Sequence, residues 1–217
     1  MTVCSGTSIY LLRHGQIEQA KPRRFIGQLD LPLTAEGEHQ ALDMALLLRE
    51  IPFTRIFSSP LIRAVQTAAV IAAGREQAVI TVPELAEISL GGWEGLTVEE
   101  VRRRFPGQYE QRGNDLTHFR PPEGESFHDL AIRAFSALNR LAAANPGPLL
   151  IVAHAGVNRV LLSTIQNLPL AGLLGIAQDY CCLNLLRREK GCWHVDAINR
   201  TSLNPPAVSP PQPKAQG

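Results

Sequence analysis

A three-layer α/β fold, with a doubly wound, mostly parallel sheet flanked by helices, is predicted by three observations. Two short apolar runs, Ser8-Ile9-Tyr10-Leu11-Leu12 and Pro148-Leu149-Leu150-Ile151-Val152-Ala153, are bounded by turn residues and too short for a typical helix, so both read as buried strands. Both runs end alike, at Arg13-His14-Gly15 and at His154-Ala155-Gly156. Strand-like and helix-like segments alternate between them, as in a doubly wound sheet. Open parallel sheets bind ligands beyond the carboxyl ends of their strands, which brings both histidines to one rim.

Thr34 is a cap for a helix running through Ala41-Leu42 and Ala45 to Leu48, which Pro52 would end. Arg55-Ile56-Phe57-Ser58 reads as a strand, followed by Ser59 as N-cap and Pro60 as first residue of a helix through Val65 and Ala69. Arg63 would then lie in the first turn, near the same rim. Ala78 to Val82 is a weaker strand and Glu84 to Gly95 a glycine-rich loop. Thr97-Val98-Glu99-Glu100 fits a capping box for a helix through Phe105, stopped by Pro106-Gly107. After an irregular stretch, Ser126 opens a long helix with Leu130, Ala134, Phe135, Leu138 and Leu141 at helical spacing. Cys182 to Leu186 and Cys192 to Ile198, around Glu189-Lys190-Gly191, read as a terminal hairpin. Beyond them, Pro205, Pro206, Pro210, Pro211 and Pro213 crowd a polar tail, 204–217, read as a flexible or polyproline-like extension of one domain spanning 1–203.

The 217 residues, 45% hydrophobic and 19% charged, suffice for one buried core. A formal net charge of +1 gives no electrostatic case for nucleic acid or an anionic membrane, so positive charge must act locally, in a small anion pocket. Cys4, Cys181, Cys182 and Cys192 have neither zinc-type spacing nor the density of a disulfide framework, and Cys181-Cys182 would alternate faces of a strand. Reduced thiols in a cytoplasmic protein are expected. No signal-like or membrane-spanning stretch is seen in the sequence.

The rim residues suggest phosphoryl chemistry. A phosphoryl group spreads transition-state charge over its equatorial oxygens, so a useful pocket supplies several fixed donors. Arg13, Arg63 and His154 are those candidates, the guanidiniums offering planar forks suited to phosphate oxygens. Neighbouring cations disfavour the protonated form of His14, which leaves a ring nitrogen free to attack phosphorus. The departing alkoxide needs a proton, and Glu87 in the loop Glu84 to Gly95 is the candidate donor, with Glu84 and Glu94 as rivals in the same loop. Trp93 reads as a packing anchor and Arg102-Arg103-Arg104 as a solvated helix face. His39 reads as a helix-surface residue, and His118 and His128 are placed bordering the pocket.

From residue 8 to 200 the chain resembles the histidine phosphatase superfamily, the phosphoglycerate mutase-like proteins. The motifs occur in order: Arg13-His14-Gly15, Gly27 to Thr34 (Gly-Gln-Leu-Asp-Leu-Pro-Leu-Thr), Ser58 through Ala68, Glu87 through Gly95, Gly124-Glu125-Ser126 and His154. The resemblance implies a phosphohistidine on His14, phosphate binding by Arg13, Arg63 and His154, proton donation by Glu87, and no metal or cofactor. It implies a phosphoric monoester hydrolase of the histidine acid phosphatase type, acting on a small-molecule phosphate ester. A homodimer stays open as the assembly. The compact length and the Leu-Gly-Gly-Trp-Glu loop are similar to α-ribazole phosphatases and broad-specificity phosphatases.

Two positions depart from the family. Where members usually carry Thr and then Asn, this chain has Ile17 and Ala20. Losing the Asn hydrogen bond to phosphate would cost about 1.5–3 kcal/mol, about one to two decades in rate. Gln16, Arg24 and Gln28 are candidates to compensate, the last two as substrate-binding residues. A cofactor-dependent phosphoglycerate mutase is the neighbouring enzyme reading, but only about thirty residues separate Gly95 from Ser126, less than the insertion such mutases carry. A phospholigand-binding protein with little turnover is the reading outside catalysis.

Overall fold

The computed structural model describes residues 6–201. The expected tail at 204–217 and Cys4 lie outside them. A six-stranded sheet is built from β1 (Thr7–Arg13), β2 (Arg55–Ser58), β3 (Val79–Thr81), β4 (Leu149–Ala153), β5 (Leu183–Glu189) and β6 (Cys192–Arg200). Its order is β3-β2-β4-β1-β5-β6. The first four of these neighbours run parallel, and β5 and β6 are antiparallel additions, so the sheet is mostly parallel as expected.

The described residues form six α-helices: α1 (Ala35–Leu48), α2 (Ile62–Ala72), α3 (Val98–Arg104), α4 (Gln108–Asn114), α5 (Phe127–Ala144) and α6 (Ala155–Ile165), of which α1, α2, α5 and α6 pack on the sheet. Strand alternation divides the core between two faces. Leu12, Ile56, Leu150 and Val152 point to α1 and α2, where Met44, Leu48, Ala64 and Ala68 meet them. Ile9, Leu11, Leu149 and Ile151 point to α5 and α6, against Leu130, Leu138, Val157 and Leu161. A sheet buried on both faces needs unbroken apolar strands, and β4 is buried at every position.

Thr34 caps α1 by accepting the Gly37 N–H, and both expected capping boxes form, Thr97 with Glu100 and Ser126 with Asp129. Three details differ from the sequence reading. Helix α2 starts at Ile62 with Leu61 at its cap, because Ser59 Oγ accepts from the Leu61 N–H and also faces His154 Nε2. The stretch read as irregular contains α4, whose cap Gly107 takes a left-handed turn at φ 78°. Cys181 and Cys182 precede β5 instead of alternating on it, and Cys181 itself has φ 51°. Both are buried free thiols pushed up to about 12 by burial, while Cys192 is free and exposed. No helix among the described residues is long and apolar enough to cross a membrane.

Candidate active site

Register brings the two histidines together. Strand β1 pairs with β4 so that Arg13 lies opposite Ala153, and the chain then continues into His14 and His154 on the same rim. The His14 N–H donates to the Ala153 carbonyl at 3.0 Å, and the two rings stand 5.1 Å apart. The turn after His14 is held by the Gly15 N–H donating to Thr67 Oγ1 at 3.0 Å. Gly15 is required there, since a Cβ would overlap the Gly37 carbonyl of α1.

His14 Nδ1 lies 2.7 Å from the Gly15 carbonyl oxygen. A carbonyl only accepts, so Nδ1 carries the proton and Nε2 keeps the lone pair. His14 is only 4% exposed yet lines the cavity. Burial first, then the Arg13 and Arg63 guanidiniums, hold it well below the ordinary imidazole value, which keeps the ring neutral.

Arg63 enters from the first turn of α2, as its sequence position predicted, and is 1% exposed. Its Nη1 donates to the Leu29 carbonyl at 2.6 Å, its Nη2 to the Gly27 carbonyl at 2.8 Å, and its Nε to His154 Nδ1 at 3.3 Å. That last bond leaves the His154 proton on Nε2, which donates to Ser59 Oγ at 2.7 Å. His154 is fully buried and lies behind Arg63 instead of lining the cavity. Burial and the positive neighbourhood lower its pKa well below the usual range as well. Arg13 stacks 3.8 Å above the Tyr180 ring and donates from Nη1 to the Gln178 carbonyl at 2.6 Å. Its Nε is buried with no partner among the described residues, a donor the protein does not satisfy.

Glu87 faces the same cavity. Its carboxylate accepts from the Ile88 N–H at 2.9 Å and from the Gly156 N–H at 3.0 Å, the second at the N-terminus of α6. The rival carboxylates are spent elsewhere. Glu94 Oε1 accepts from the Gln28 and Leu90 backbone N–H groups, and Glu84 pairs with Arg140 at the surface. Trp93 is fully buried between Phe25 and Phe119, with ring centroids 5.2 Å and 5.4 Å away, the anchor its loop position suggested.

The substitutes proposed for the missing donor at Ala20 are turned to other work. Gln16 Oε1 accepts from Thr34 Oγ1. Gln28 Nε2 donates to the Glu87 carbonyl at 2.8 Å and the residue does not line the cavity, so it holds the acid loop instead of substrate. Arg24 does line the cavity, but its guanidinium is bound to the Gly95 carbonyl and to Glu100 at 3.0 Å. His118 and His128 sit outside the cavity lining and against each other at 5.4 Å.

Four arginines escaped the sequence reading: Arg133, and Arg23, Arg112 and Arg159 in the cavity lining. Arg133 of α5 donates to the carbonyls of Glu84, Ala86 and Glu87 and pairs with Glu125 at 2.7 Å, while Glu125 accepts the Ser89 N–H. It fixes the loop that presents Glu87. Arg159, one turn into α6, lines the cavity with its Nε on the Ile176 carbonyl at 2.9 Å. Its spacing of five residues from His154 was the available signal.

A cavity of about 590 Å³ opens over these groups. A neutral imidazole with a free nitrogen, unspent guanidinium donors and one carboxylate suit transfer of a phosphoryl group, and the class so defined is that of phosphatases and mutases. The chain belongs to the histidine phosphatase superfamily (branch 1), which it matches over residues 9–201. The protein of Cronobacter sakazakii named probable phosphoglycerate mutase GpmB is 32% identical over 186 residues, 85% of this chain and 86% of that one. The α-ribazole phosphatase of Shigella flexneri superposes with a TM-score of 0.83 at 26% identity, covering 91% of this chain and 98% of that one. The mycobacterial glucosyl-3-phosphoglycerate phosphatase superposes with a TM-score of 0.80 at 29% identity, covering 89% and 99%.

Proposed function

We propose that the chain is a phosphomonoesterase of the histidine acid phosphatase type, hydrolysing a small phosphorylated metabolite through a phosphohistidine on His14. The observation that carries this reading is the His14 tautomer, with Nδ1 tied to the Gly15 carbonyl and Nε2 unprotonated in a cavity that also holds Arg13, Arg63 and Glu87. In the first step Nε2 attacks phosphorus, the P–O bond to the alcohol breaks, and Glu87 gives its proton to the departing alkoxide. In the second, the Glu87 carboxylate takes a proton from water, the oxygen bonds to phosphorus, and the P–N bond breaks to return neutral His14 and release phosphate. Arg13 and Arg63 bind the phosphoryl oxygens, and His154 acts through Arg63, whose Nε it receives.

The relatedness to the Shigella enzyme makes α-ribazole phosphate one substrate to assay, and the Cronobacter relative supports a second reading as a phosphoglycerate mutase. Phosphate release from α-ribazole phosphate, 3-phosphoglycerate and an aryl phosphate, with chelator present, tests the proposal. Release by the wild type that vanishes in His14→Ala is the expected result. Equal release by the variant would overturn the reading, and isomerisation of 3-phosphoglycerate without net hydrolysis would assign the mutase.

A further inference from the structure

Arg13 stands among like charges. It shares the cavity wall with Arg63 and Arg159, and burial first, with the Arg13 charge among their neighbours, lowers the pKa of both. Among the described residues no carboxylate pairs with Arg13. Two neutral groups fix its guanidinium instead, the Tyr180 ring 3.8 Å from the central carbon and the Gln178 carbonyl 2.6 Å from Nη1. Arg133 is the contrast, since it holds a loop and pairs with the Glu125 carboxylate at 2.7 Å. A carboxylate would hold Arg13 too, but it would offset the positive charge that a phosphoryl group needs. An aromatic face attracts a cation lying over it and leaves the in-plane N–H groups free. Arg13 Nε, buried and without a partner among the described residues, is one such donor.

Tyr180 and Gln178 lie on the segment that leads into β5, and both are themselves held. Tyr180 is part-buried, its ring 5.7 Å from that of His14, and its hydroxyl accepts from Gln19 Nε2 at 2.7 Å, which ties the ring to the loop after β1. The Gln178 side chain is buried in a neutral amide cluster. Its Oε1 accepts from Asn158 Nδ2 at 2.9 Å and from Asn184 Nδ2 at 3.0 Å, and its Nε2 donates to Asn184 Oδ1 at 2.8 Å. Asn158 sits one turn beyond His154 on α6, and Asn184 of β5 lies opposite Leu11 of β1. Both are fully buried, where an amide pair satisfies polar groups without adding charge. The elements that bring the two histidines to the rim thus also place the carbonyl and the ring against which Arg13 rests.

We propose, resting on the phosphatase reading above, that Tyr180 is a positioning residue for phosphoryl transfer. Its ring, together with the Gln178 carbonyl, holds the Arg13 guanidinium against the repulsion of Arg63 and Arg159 and leaves its charge to the phosphoryl oxygens. The ring does the holding, and the hydroxyl only anchors the ring to Gln19.

A double-mutant cycle between Tyr180 and Arg13 tests this, read both as kcat/KM for p-nitrophenyl phosphate and as the dissociation constant of inorganic phosphate. Alone, Tyr180→Leu should lower kcat/KM about tenfold and weaken phosphate binding by a similar factor, the size of a partly desolvated cation–π pair. Tyr180→Phe, which keeps the ring, should stay within about threefold of the wild type in both readouts. With Arg13→Ala already in place, Tyr180→Leu should change either readout by less than about twofold, because the group it positions is gone. A tyrosine that only supported the fold would cost the same with and without Arg13. Equal losses in the two backgrounds would overturn the inference, as would a Tyr180→Phe loss as large as that of Tyr180→Leu or a fully active Tyr180→Leu. Hydrolysis that depends on His14 but shows no coupling between Tyr180 and Arg13 would sink only this inference. Coupling in phosphate binding by a protein that hydrolyses nothing would sink only the phosphatase reading.

Discussion

A methyl group on Gly156 would occupy the place of Glu87 Oε1. The same glycine donates its N–H to the carboxylate, so Gly156→Ala should displace Glu87 while leaving the sheet intact. Positioned proton transfer is worth about 10²–10⁴ in rate, and a kcat loss of about a hundredfold with an unchanged circular dichroism spectrum is expected. Glu87→Gln separates the two roles of that residue. Alkyl esters, whose leaving group needs a proton, should lose about a thousandfold in formation of the phosphoenzyme, whereas p-nitrophenyl phosphate, with its good leaving group, should lose far less. His14, His154, Arg63 and Glu87 were legible in the sequence because each sits at a local landmark: a strand end, a first helical turn, or a glycine-rich loop. Gln28 was misread because its partner, the Glu87 carbonyl, is far along the chain, whereas Arg24 does reach the cavity lining, with its guanidinium held by Glu100 and the Gly95 carbonyl.

Helix α5 acts on the site through its first two turns. The first turn is fixed by Ser126, whose Oγ accepts the Asp129 N–H at 3.1 Å, and the second carries Arg133 to the acid loop. Ser126→Ala should cost about 1 kcal/mol, read as a fall of about 3 °C in Tm. Arg133→Met keeps much of the side-chain volume but leaves the Glu84, Ala86 and Glu87 carbonyls and the Glu125 carboxylate without their common donor. We expect a larger loss in kcat than in affinity for inorganic phosphate, since the loop carries the acid and not the phosphate donors. An equal loss in both would point to general disorder of the cavity. At this scale the sequence spoke clearly where a helix has an apolar stripe and a side-chain cap, as α5 and α1 do. Helix α4 was missed because Gln108–Asn114 has no buried residue to set a period and no side-chain cap. The start of α2 was misplaced because the Ser59 hydroxyl faces His154, a partner that only the β2–β4 pairing supplies.

The whole molecule carries the cost of two buried imidazoles. Both His14 and His154 hold their protons more weakly folded than the ordinary value of 6.5. Below pH 6.5 the unfolded chain therefore binds protons that the native state refuses, so stability is full above that pH and falls as acid is added through the window below it. Each such proton costs about 1.4 kcal/mol per pH unit inside the window. Denaturant midpoints measured from pH 8 to pH 5 should stay level and then fall, and His154→Gln should flatten the descent. A midpoint that rises on acidification would contradict the assignment of neutral histidines. The parallel pairing of β1 with β4, legible in two apolar runs with like endings, is what places those histidines together.

The measurement that bears most directly on this account is rapid-quench labelling with a phosphoryl-labelled aryl ester, followed by peptide mapping under alkaline conditions that preserve phosphohistidine. An acid-labile label that appears within the first turnover on the peptide containing His14, and is missing in His14→Ala, is the predicted result. Steady hydrolysis with no label on His14, or a label on any other residue, would contradict it.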